Sequence, residues 1–178
     1  MSETPEFLPI AIAVLTVSDS RGPAEDRSGD FLVEAIHASG HTLEDRRLVP
    51  DDRYRIRAEV SQWIADPRVQ AIVTTGGTGV TGRDGTPEAV APLLDKTLEG
   101  FGELFRSLSF GEIGAAALQS RALAGVANGT WVFCLPGSTG ACRTAWNGIL
   151  APQLDRRTPP CNLAALLPRL KVKDEAGG

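Results

Sequence analysis

Residues 76 to 87, GGTGVTGRDGTP, combine closely spaced glycines with an arginine, a carboxylate and the start of a predicted helix. The segment follows the apolar run VQAIVTT, so it stands at the end of a predicted strand. Free backbone N–H groups of such glycines can form a concave anion site, and a helix N-terminus adds positive potential. Because Asp84 places a carboxylate beside these amides, the segment predicts a phosphate site with a built-in metal ligand.

Three further polar segments follow predicted strands: SDSRG after residue 17, PDD at 50 to 52, and PGSTG from 136. Ligands of open α/β sheets bind beyond the carboxyl ends of the strands, so these loops are expected to meet the glycine segment. Asp51 is then a second carboxylate that could help Asp84 to hold Mg²⁺ against phosphate oxygens. Taken singly, each loop also has a structural explanation, because glycine forms turns and aspartate caps helices.

This arrangement predicts an enzyme that handles a nucleotide or a phosphorylated metabolite. Positioning and charge neutralisation can carry such chemistry, so no nucleophilic side chain is required. A serine hydrolase is not favoured, because the sequence has no G-x-S-x-G motif. The two histidines, His37 and His41, flank a helix end and are expected to be exposed to solvent and not catalytic.

Two other nucleotide motifs are excluded by their context. GTGVTG at 77 to 82 matches G-x-G-x-x-G, but that fingerprint needs its third glycine in the helix start and an acidic residue about 20 positions later, at a strand end. Here Thr86 is a good N-cap with Pro87 at the first helical position, and the later region GFGELFRSL is itself helical. A P-loop would need lysine and a hydroxyl residue where Arg83 and Asp84 stand.

Strands and helices alternate along the chain. Strands are predicted at 9–20, 41–50 and 69–75, helices at 28–40, 51–67, from Thr86 or Pro87, at 101–110 and at 138–154. Between the last two helices, apolar runs joined by Asn128-Gly129 predict a hairpin whose second arm, TWVFCLP, is an inner strand. The expected fold is therefore α/β, a three-layer α/β/α sandwich with a mostly parallel sheet and one antiparallel hairpin arm.

Composition limits the class of protein and its partners. The 178 residues, 42% hydrophobic and 22% charged, fit one domain, expected at 8–168 with flexible termini at 1–7 and 169–178. A net charge of −4 without a basic patch argues against nucleic acid as a partner, and no apolar run is long enough to span a membrane. The acidic N-terminus lacks the features of a signal peptide, which predicts a cytoplasmic protein with three ordinary thiols.

Several motifs in order give a specific resemblance. TTGGTGVTGRDGTPEAV, EGFGELFRSLS, LQSRALAGVANGTWVFCLPGSTGACRTAWNGILAPQL and RTPPCN together resemble the molybdenum cofactor biosynthesis protein B family. That family is closely similar to the molybdopterin adenylyltransferases and to the corresponding domain of gephyrin. The resemblance implies an α/β/α sandwich that forms homo-oligomers, trimers or hexamers.

The resemblance also implies an activity. Adenylyltransferase members bind molybdopterin and Mg²⁺-ATP, transfer AMP to the terminal phosphate of the pterin and release pyrophosphate. Mg²⁺ is then the cofactor, ATP a co-substrate, and other proteins of the cofactor pathway are possible partners. The alternative is a non-catalytic protein of the same pathway that binds molybdopterin or a partner in this pocket.

Carried over residue by residue, the resemblance implies a set of site residues. Asp51 and Asp84 would be the catalytic acidic pair, acting through magnesium. Glu103 and Arg106, with Ser120 and Arg121, match family positions near the site, and Arg121 or Arg143 could meet the pterin phosphate. The residues expected to bind nucleotide or pterin are Ser18, Asp19, Gly76, Gly77, Thr78, Gly79, Glu103, Ser109, Pro136, Gly137 and Ser138.

Overall fold

Six strands form one sheet in a computed structural model that describes residues 5–171. The spatial order of the strands is β2-β1-β3-β6-β5-β4. In chain order the strands are β1 (Ala11–Val17), β2 (Thr42–Val49), β3 (Ala71–Thr75), β4 (Lys96–Thr97), β5 (Leu123–Ala127) and β6 (Thr130–Leu135). The helices are α1 (Arg27–Ala38), α2 (Arg53–Ala65), α3 (Thr86–Val90), α4 (Glu99–Ile113), α5 (Thr139–Ala145) and α6 (Ala151–Gln153).

The sheet is parallel on one side and antiparallel on the other. β1 pairs in parallel with β2 and β3, and β3 pairs in parallel with β6. β5 runs antiparallel to both β6 and β4. The hairpin turn uses Asn128 at φ 47° and Gly129 at φ 78°, the two positive values that a type I′ turn requires. The predicted hairpin and its inner second arm are therefore confirmed.

Helices cover both faces, which confirms the predicted three-layer architecture. Alternate side chains of each strand point to opposite faces. In β1, Ile12 and Val14 pack on the side of α1, α4 and α5, whereas Ala13 and Leu15 pack on the side of α2 and α3. Every residue of β1 after Ala11 is buried. This agrees with the almost continuously apolar sequence of the strand, which is typical of a central parallel strand.

Local differences from the sequence-based elements are small. The last predicted helix is α5, which continues through a π-helical turn (Trp146–Leu150) into α6. The two-residue edge strand β4 was not predicted, since Lys96 and Thr97 carry no periodicity that a sequence could reveal. Within residues 5–171, no helix is long and apolar enough to cross a membrane. The expected flexible termini fall partly on residues 1–4 and 172–178, outside the described range.

Candidate active site

Loops from neighbouring strands meet at the carboxyl edge of the parallel half of the sheet. The Gly76 N–H donates to the Leu135 carbonyl at 3.0 Å, which joins the start of the loop after β3 to the end of β6. Nη1 of Arg21, from the loop after β1, donates to the Gly137 carbonyl at 3.0 Å. Together these loops border a cavity of about 550 Å³, in the position that the carboxyl-end rule predicts.

The glycine segment after β3 turns sharply at its first two residues. Gly76 and Gly77 have φ values of 104° and 66°, a left-handed region that side chains rarely allow. A side chain on Gly76 would collide with the Val17 carbonyl, and one on Gly77 would lie 2.7 Å from Oδ2 of Asp51. Backbone therefore approaches backbone at Gly76, while at Gly77 the missing side chain leaves room for the Thr86 hydroxyl and the Asp51 carboxylate.

Thr86 connects this turn to α3, but in a different way from the predicted N-cap. Gly85 occupies the N-cap position and makes no side-chain cap. The Thr86 hydroxyl instead donates to the Gly76 carbonyl at 2.8 Å, and its N–H donates to the Gly77 carbonyl at 3.0 Å. The helix starts at Thr86 as predicted, while the capping role is wrong because the hydroxyl is used by the glycine turn.

Asp51 brings a partly buried carboxylate to the cavity from the end of β2. Its Oδ1 accepts from the Gly85 N–H at 3.0 Å, and its own N–H donates to Oδ1 of Asp19 at 2.9 Å. Burial raises the pKa of Asp51, and the nearby negative charges of Asp84 and Asp19 raise it further. Asp51 is thus a carboxylate that would be stabilised by an added positive charge.

Asp84 is held in place by its own loop. Its Oδ2 accepts from the Thr81 N–H at 2.8 Å and from the Thr81 hydroxyl at 2.6 Å. These hydrogen bonds lower the pKa of Asp84, so it stays ionised while Asp51 retains a proton more readily. The two carboxylates therefore have pKa values shifted in opposite directions, an arrangement typical of functional sites.

Asp19 and Arg83 form an ion pair at the mouth of the cavity. Nε and Nη2 of Arg83 donate to the two carboxylate oxygens of Asp19 at 2.9 and 2.8 Å. Both side chains are exposed, so the pair contributes little to stability. The hydrogen bonds from Arg83 lower the pKa of Asp19. An anionic ligand could compete for Arg83 without disturbing the core.

The two carboxylates fit a magnesium ion that is also bound by substrate and water better than a metal ion bound by protein side chains alone. Among residues 5–171, no group of three or more His, Cys, Asp or Glu side chains is arranged to hold a metal ion. Asp51 and Asp84 nevertheless both line the cavity beside the glycine amides. Two carboxylates, with the rest of the coordination sphere left to substrate oxygens and water, are the donor set that Mg²⁺ prefers.

The other end of the cavity is apolar. It is lined by Phe105 and Ile113 of α4 and by the small side chains of Ala116 and Ala117 in the following 3₁₀ turn, with Gln119 beside them. Ring systems bind well to such surfaces, whereas the polar end offers amides and charges. No sequence motif indicated Ala116 or Ala117, because a 3₁₀ turn has no strong periodic signature.

Most of the sequence-predicted site residues meet at this cavity. Glu103 does not line it: the residue is exposed on α4, whose cavity-facing positions are Phe105 and Ser109. The predicted residues that line the cavity are Ser18, Asp19, Asp51, Gly76, Gly77, Thr78, Gly79, Asp84, Ser109, Ser120, Pro136, Gly137 and Ser138.

Cys142 is the thiol beside the cavity, and its surroundings argue against a nucleophilic role. It lies 3.2 Å from the Thr75 hydroxyl and 3.6 Å from the Pro136 carbonyl. Burial raises the pKa of the Cys142 thiol to about 11, so the reactive thiolate is scarce at neutral pH. The thiol supports the loop after β6 and is not suited to attack a substrate.

His41 differs from its sequence-based expectation. His37 is exposed, but His41 is buried, and its Nδ1 accepts from the Ile10 N–H at 3.2 Å. Its ring packs against Phe7 with centroids 5.3 Å apart. Burial lowers the pKa of His41, which favours the neutral ring that this hydrogen bond needs. The expectation of exposure was wrong because a strand start packs over this helix end.

Comparison with known proteins identifies the family. A family model for a probable molybdopterin binding domain matches residues 13–156. The chain is 57% identical over 157 residues to molybdenum cofactor biosynthesis protein B of Escherichia coli strain K12, covering 88% of this chain and 92% of that one.

Solved structures agree with this assignment. A crystal structure of a molybdenum cofactor biosynthesis protein B matches with a TM-score of 0.83 and 38% identity, over 92% of this chain and 96% of that chain. The tungsten cofactor synthesizing protein MoaB from Pyrococcus furiosus matches with a TM-score of 0.78 and 34% identity, over 92% and 98% of the two chains. The chain therefore belongs to the molybdenum cofactor biosynthesis protein B family.

Proposed function

We propose that this protein acts in molybdenum cofactor biosynthesis by transferring the adenylyl group of Mg²⁺-ATP to the terminal phosphate of molybdopterin. The names of its family and relatives support the pathway and the pterin ligand. The observation that carries the proposal is the pairing of Asp51 and Asp84 beside the glycine amides at the polar end of the cavity.

In the proposed reaction, a terminal phosphate oxygen of molybdopterin forms a bond to the α-phosphorus of ATP. The bond from that phosphorus to the oxygen bridging the β-phosphate breaks, and pyrophosphate leaves with the electron pair. Such transfer depends on positioning and charge stabilisation and requires no nucleophilic side chain. The apolar end formed by Phe105, Ile113, Ala116 and Ala117 offers a surface for a flat ring.

The protein groups have separate tasks in this proposal. The amides of Gly77 and Thr78 would donate to phosphate oxygens, as free N–H groups of a glycine turn can do. The Gly76 amide is not available for this task, because it donates to the Leu135 carbonyl, and the Gly79 amide already interacts with the Asp84 carboxylate.

Asp51 and Asp84 would hold Mg²⁺, which when bound neutralises the negative charge of the phosphates. The raised pKa of Asp51 fits this task, because the effect of burial outweighs that of the one hydrogen bond from Gly85 and of the positive charge of Arg83.

The direct test is to incubate the purified protein with ATP, Mg²⁺ and molybdopterin and to measure adenylylated pterin and pyrophosphate. We expect both products, and neither when EDTA replaces Mg²⁺. Absence of product with molybdopterin still bound would overturn the enzymatic proposal and favour a non-catalytic binding protein of the pathway.

A pair of variants tests the acidic site. Asp84→Asn should keep the fold and lose turnover, because the amide still accepts from Thr81 but cannot hold the metal. Asp52→Asn is the matched control, since the Asp52 carboxylate caps α2 by accepting from the Tyr54 and Arg55 amides, and asparagine caps equally well. An unchanged rate in Asp84→Asn would show that the metal assignment is wrong.

We also propose that the protein is a homo-oligomer, a trimer or a hexamer. Large apolar side chains are exposed on and just after α4, including Leu104 at 48%, Phe110 at 63% and Leu118 at 80%. Clustered exposure of this kind is typical of surfaces that other chains cover. Sedimentation velocity should give the mass of a trimer or hexamer, and a monomer at all concentrations would contradict the proposal.

A further inference from the structure

Arg121 makes an unusual set of contacts with the loop that carries Asp84. Its Nε donates to the Gly79 carbonyl at 2.7 Å, and its Nη2 donates to the Asp84 carbonyl at 3.0 Å. Its Nη1 bonds the carboxylate of Glu88 in α3, and its backbone N–H donates to the Thr78 carbonyl at 3.2 Å. One residue therefore bonds both ends of the loop and the helix that follows it.

The loop 79–84 needs such an external attachment. Its internal bonds, from the Thr81 N–H and hydroxyl to the Asp84 carboxylate and from the Asp84 N–H to the Thr81 carbonyl, fix only its own shape. The ion pair of Arg83 with Asp19 is exposed, so solvent and ligands compete with it. The partly buried guanidinium of Arg121 is the better-shielded attachment.

We propose that Arg121 is a positioning residue that keeps the Asp84 carboxylate and the Gly79 amide in place at the cavity. This inference rests on the proposed function. It differs from a role as phosphate ligand, because each of the three guanidinium nitrogens already donates to a protein oxygen, which leaves only the second N–H groups of Nη1 and Nη2. The carboxylate of Glu88 also neutralises the charge that a phosphate would need.

The geometry requires arginine and not merely a positive charge. The planar guanidinium directs three N–H groups at fixed angles, which matches acceptors on three sides of the group. A lysine ammonium can reach one or two of these oxygens and leaves the others without a donor. The charge is kept in Arg121→Lys, whereas the connection between the Gly79 and Asp84 carbonyls is lost.

Steady-state kinetics of the full-length protein separate the two roles. We expect Arg121→Ala and Arg121→Lys both to lower kcat about 10- to 100-fold, with the KM values for ATP and molybdopterin little changed, because a misplaced Asp84 slows the chemical step. If Arg121→Lys restores turnover, or if Arg121→Ala raises KM while kcat stays the same, Arg121 acts by its charge on substrate and the inference is overturned.

Hydrogen exchange measured by mass spectrometry gives a readout that does not depend on turnover. Peptides that cover residues 79–85 should exchange faster in both Arg121 variants than in the wild type, since the loop has lost its attachment. Arg57→Lys is the matched control: Arg57 donates to the Glu88 and Ala89 carbonyls of α3 at 2.9 and 3.1 Å, and among residues 5–171 these acceptors lie outside the loop 79–84. It should leave exchange of the loop and kcat unchanged.

The two measurements also separate failure of this inference from failure of the proposed function. A wild-type protein that makes no adenylylated pterin overturns the function, while faster loop exchange in the Arg121 variants still supports the positioning role. Unchanged exchange at residues 79–85 in folded Arg121→Lys overturns the positioning role whatever the activity. If Arg121→Ala does not fold, Arg121→Lys alone decides, because it keeps the charge opposite Glu88.

Discussion

Asp26 and Asp51 are two aspartates near the carboxyl ends of β1 and β2, and their surroundings differ sharply. Asp26 is 1% exposed and accepts from the Thr16 hydroxyl at 2.7 Å, the Gly29 N–H at 2.9 Å and Nη2 of Arg46 at 2.8 Å. Burial tends to raise its pKa, but the hydrogen bonds from Arg46, Thr16 and Gly29 outweigh that effect and the pKa is lowered.

Asp51 has fewer donors and more acidic neighbours. Within residues 5–171 its carboxylate accepts one hydrogen bond from a backbone amide, that of Gly85, and Asp84 and Asp19 lie close enough to raise its pKa. The comparison distinguishes an aspartate that stabilises the fold from one that is available to bind a ligand. An aspartate whose oxygens are satisfied by protein donors stabilises the fold, whereas one left short of positive charge is available to a ligand.

The largest expected effect follows from removing the charge of Asp51. Asp51→Asn should lower adenylyl transfer by about 10² to 10³-fold, the usual cost of losing one charge-stabilising group from an active site. The unfolding midpoint should not fall, because a raised pKa means that the ionised form costs stability at neutral pH and the amide still accepts from Gly85. Thermal unfolding measures the midpoint, and the product assay measures the loss of adenylyl transfer. A large loss of stability would place Asp51 in the same class as Asp26.

Asp26→Asn should have the opposite effects: it should lower the stability of the protein and leave most of its turnover intact. The amide places a donor against Arg46 and breaks a buried pair, so the free energy of unfolding should fall by about 2 kcal/mol. That value lies below the usual cost because Arg46 is 30% exposed and keeps its ion pair with Asp30. Urea unfolding at neutral pH measures the loss. Well below the unfolding midpoint the variant should retain most of its turnover, and a variant that is stable but inactive would contradict the comparison.

The stability difference between wild type and Asp26→Asn should depend on pH. Since the folded-state pKa of Asp26 lies below its ordinary value of 3.8, ionised Asp26 stabilises the protein above that pH. The stabilisation is lost as the pH falls through the folded-state pKa. Unfolding measured from pH 7 downward should therefore show the two proteins converging in acid. A constant difference across this range would show that the loss comes from packing and not from the charge.

The smallest expected effect tests a single donor to Asp26. Thr16→Val keeps the shape of the side chain but removes the hydroxyl that donates at 2.7 Å, so the free energy of unfolding should fall by about 1 kcal/mol. Ser28 is a weaker donor at 3.4 Å, and Ser28→Ala should cost less. Differential scanning fluorimetry ranks the two variants by their loss of thermal stability. The reverse order would mean that hydrogen-bond distance does not explain the low pKa of Asp26.

Much of the fold could be predicted because its signals are local. The apolar β1 and β3, the Asn128-Gly129 turn and the amphipathic segment from residue 138 each carry a pattern set by their own sequence. β4 and the π-helical turn at Trp146–Leu150 have no such pattern. They arise from pairing and packing between distant parts of the chain, and a short segment of sequence carries no information about those contacts.

The site was predictable in position but only partly in detail. Loops at strand ends could be assigned to one edge of the sheet from topology alone, which is why Asp51 and Asp84 were expected together. The partners of each side chain depend on which distant groups pack against it. Thr86 therefore bonds the Gly76 carbonyl instead of capping α3, and His41 is buried beneath Phe7.

The contact between the loops after β3 and β6 has a consequence for how this family can vary. A Cβ on Gly137 would lie 3.2 Å from the Cα of Gly76, so the two turns touch through their main chains. A side chain at Gly137 therefore requires a shift of the turn at Gly76, although the two residues are far apart in the sequence, whereas one at Gly76 would collide with the Val17 carbonyl. A saturation mutagenesis screen should find Gly76 intolerant of replacement, and the few variants that survive at Gly137 should depend on compensating changes near Gly76.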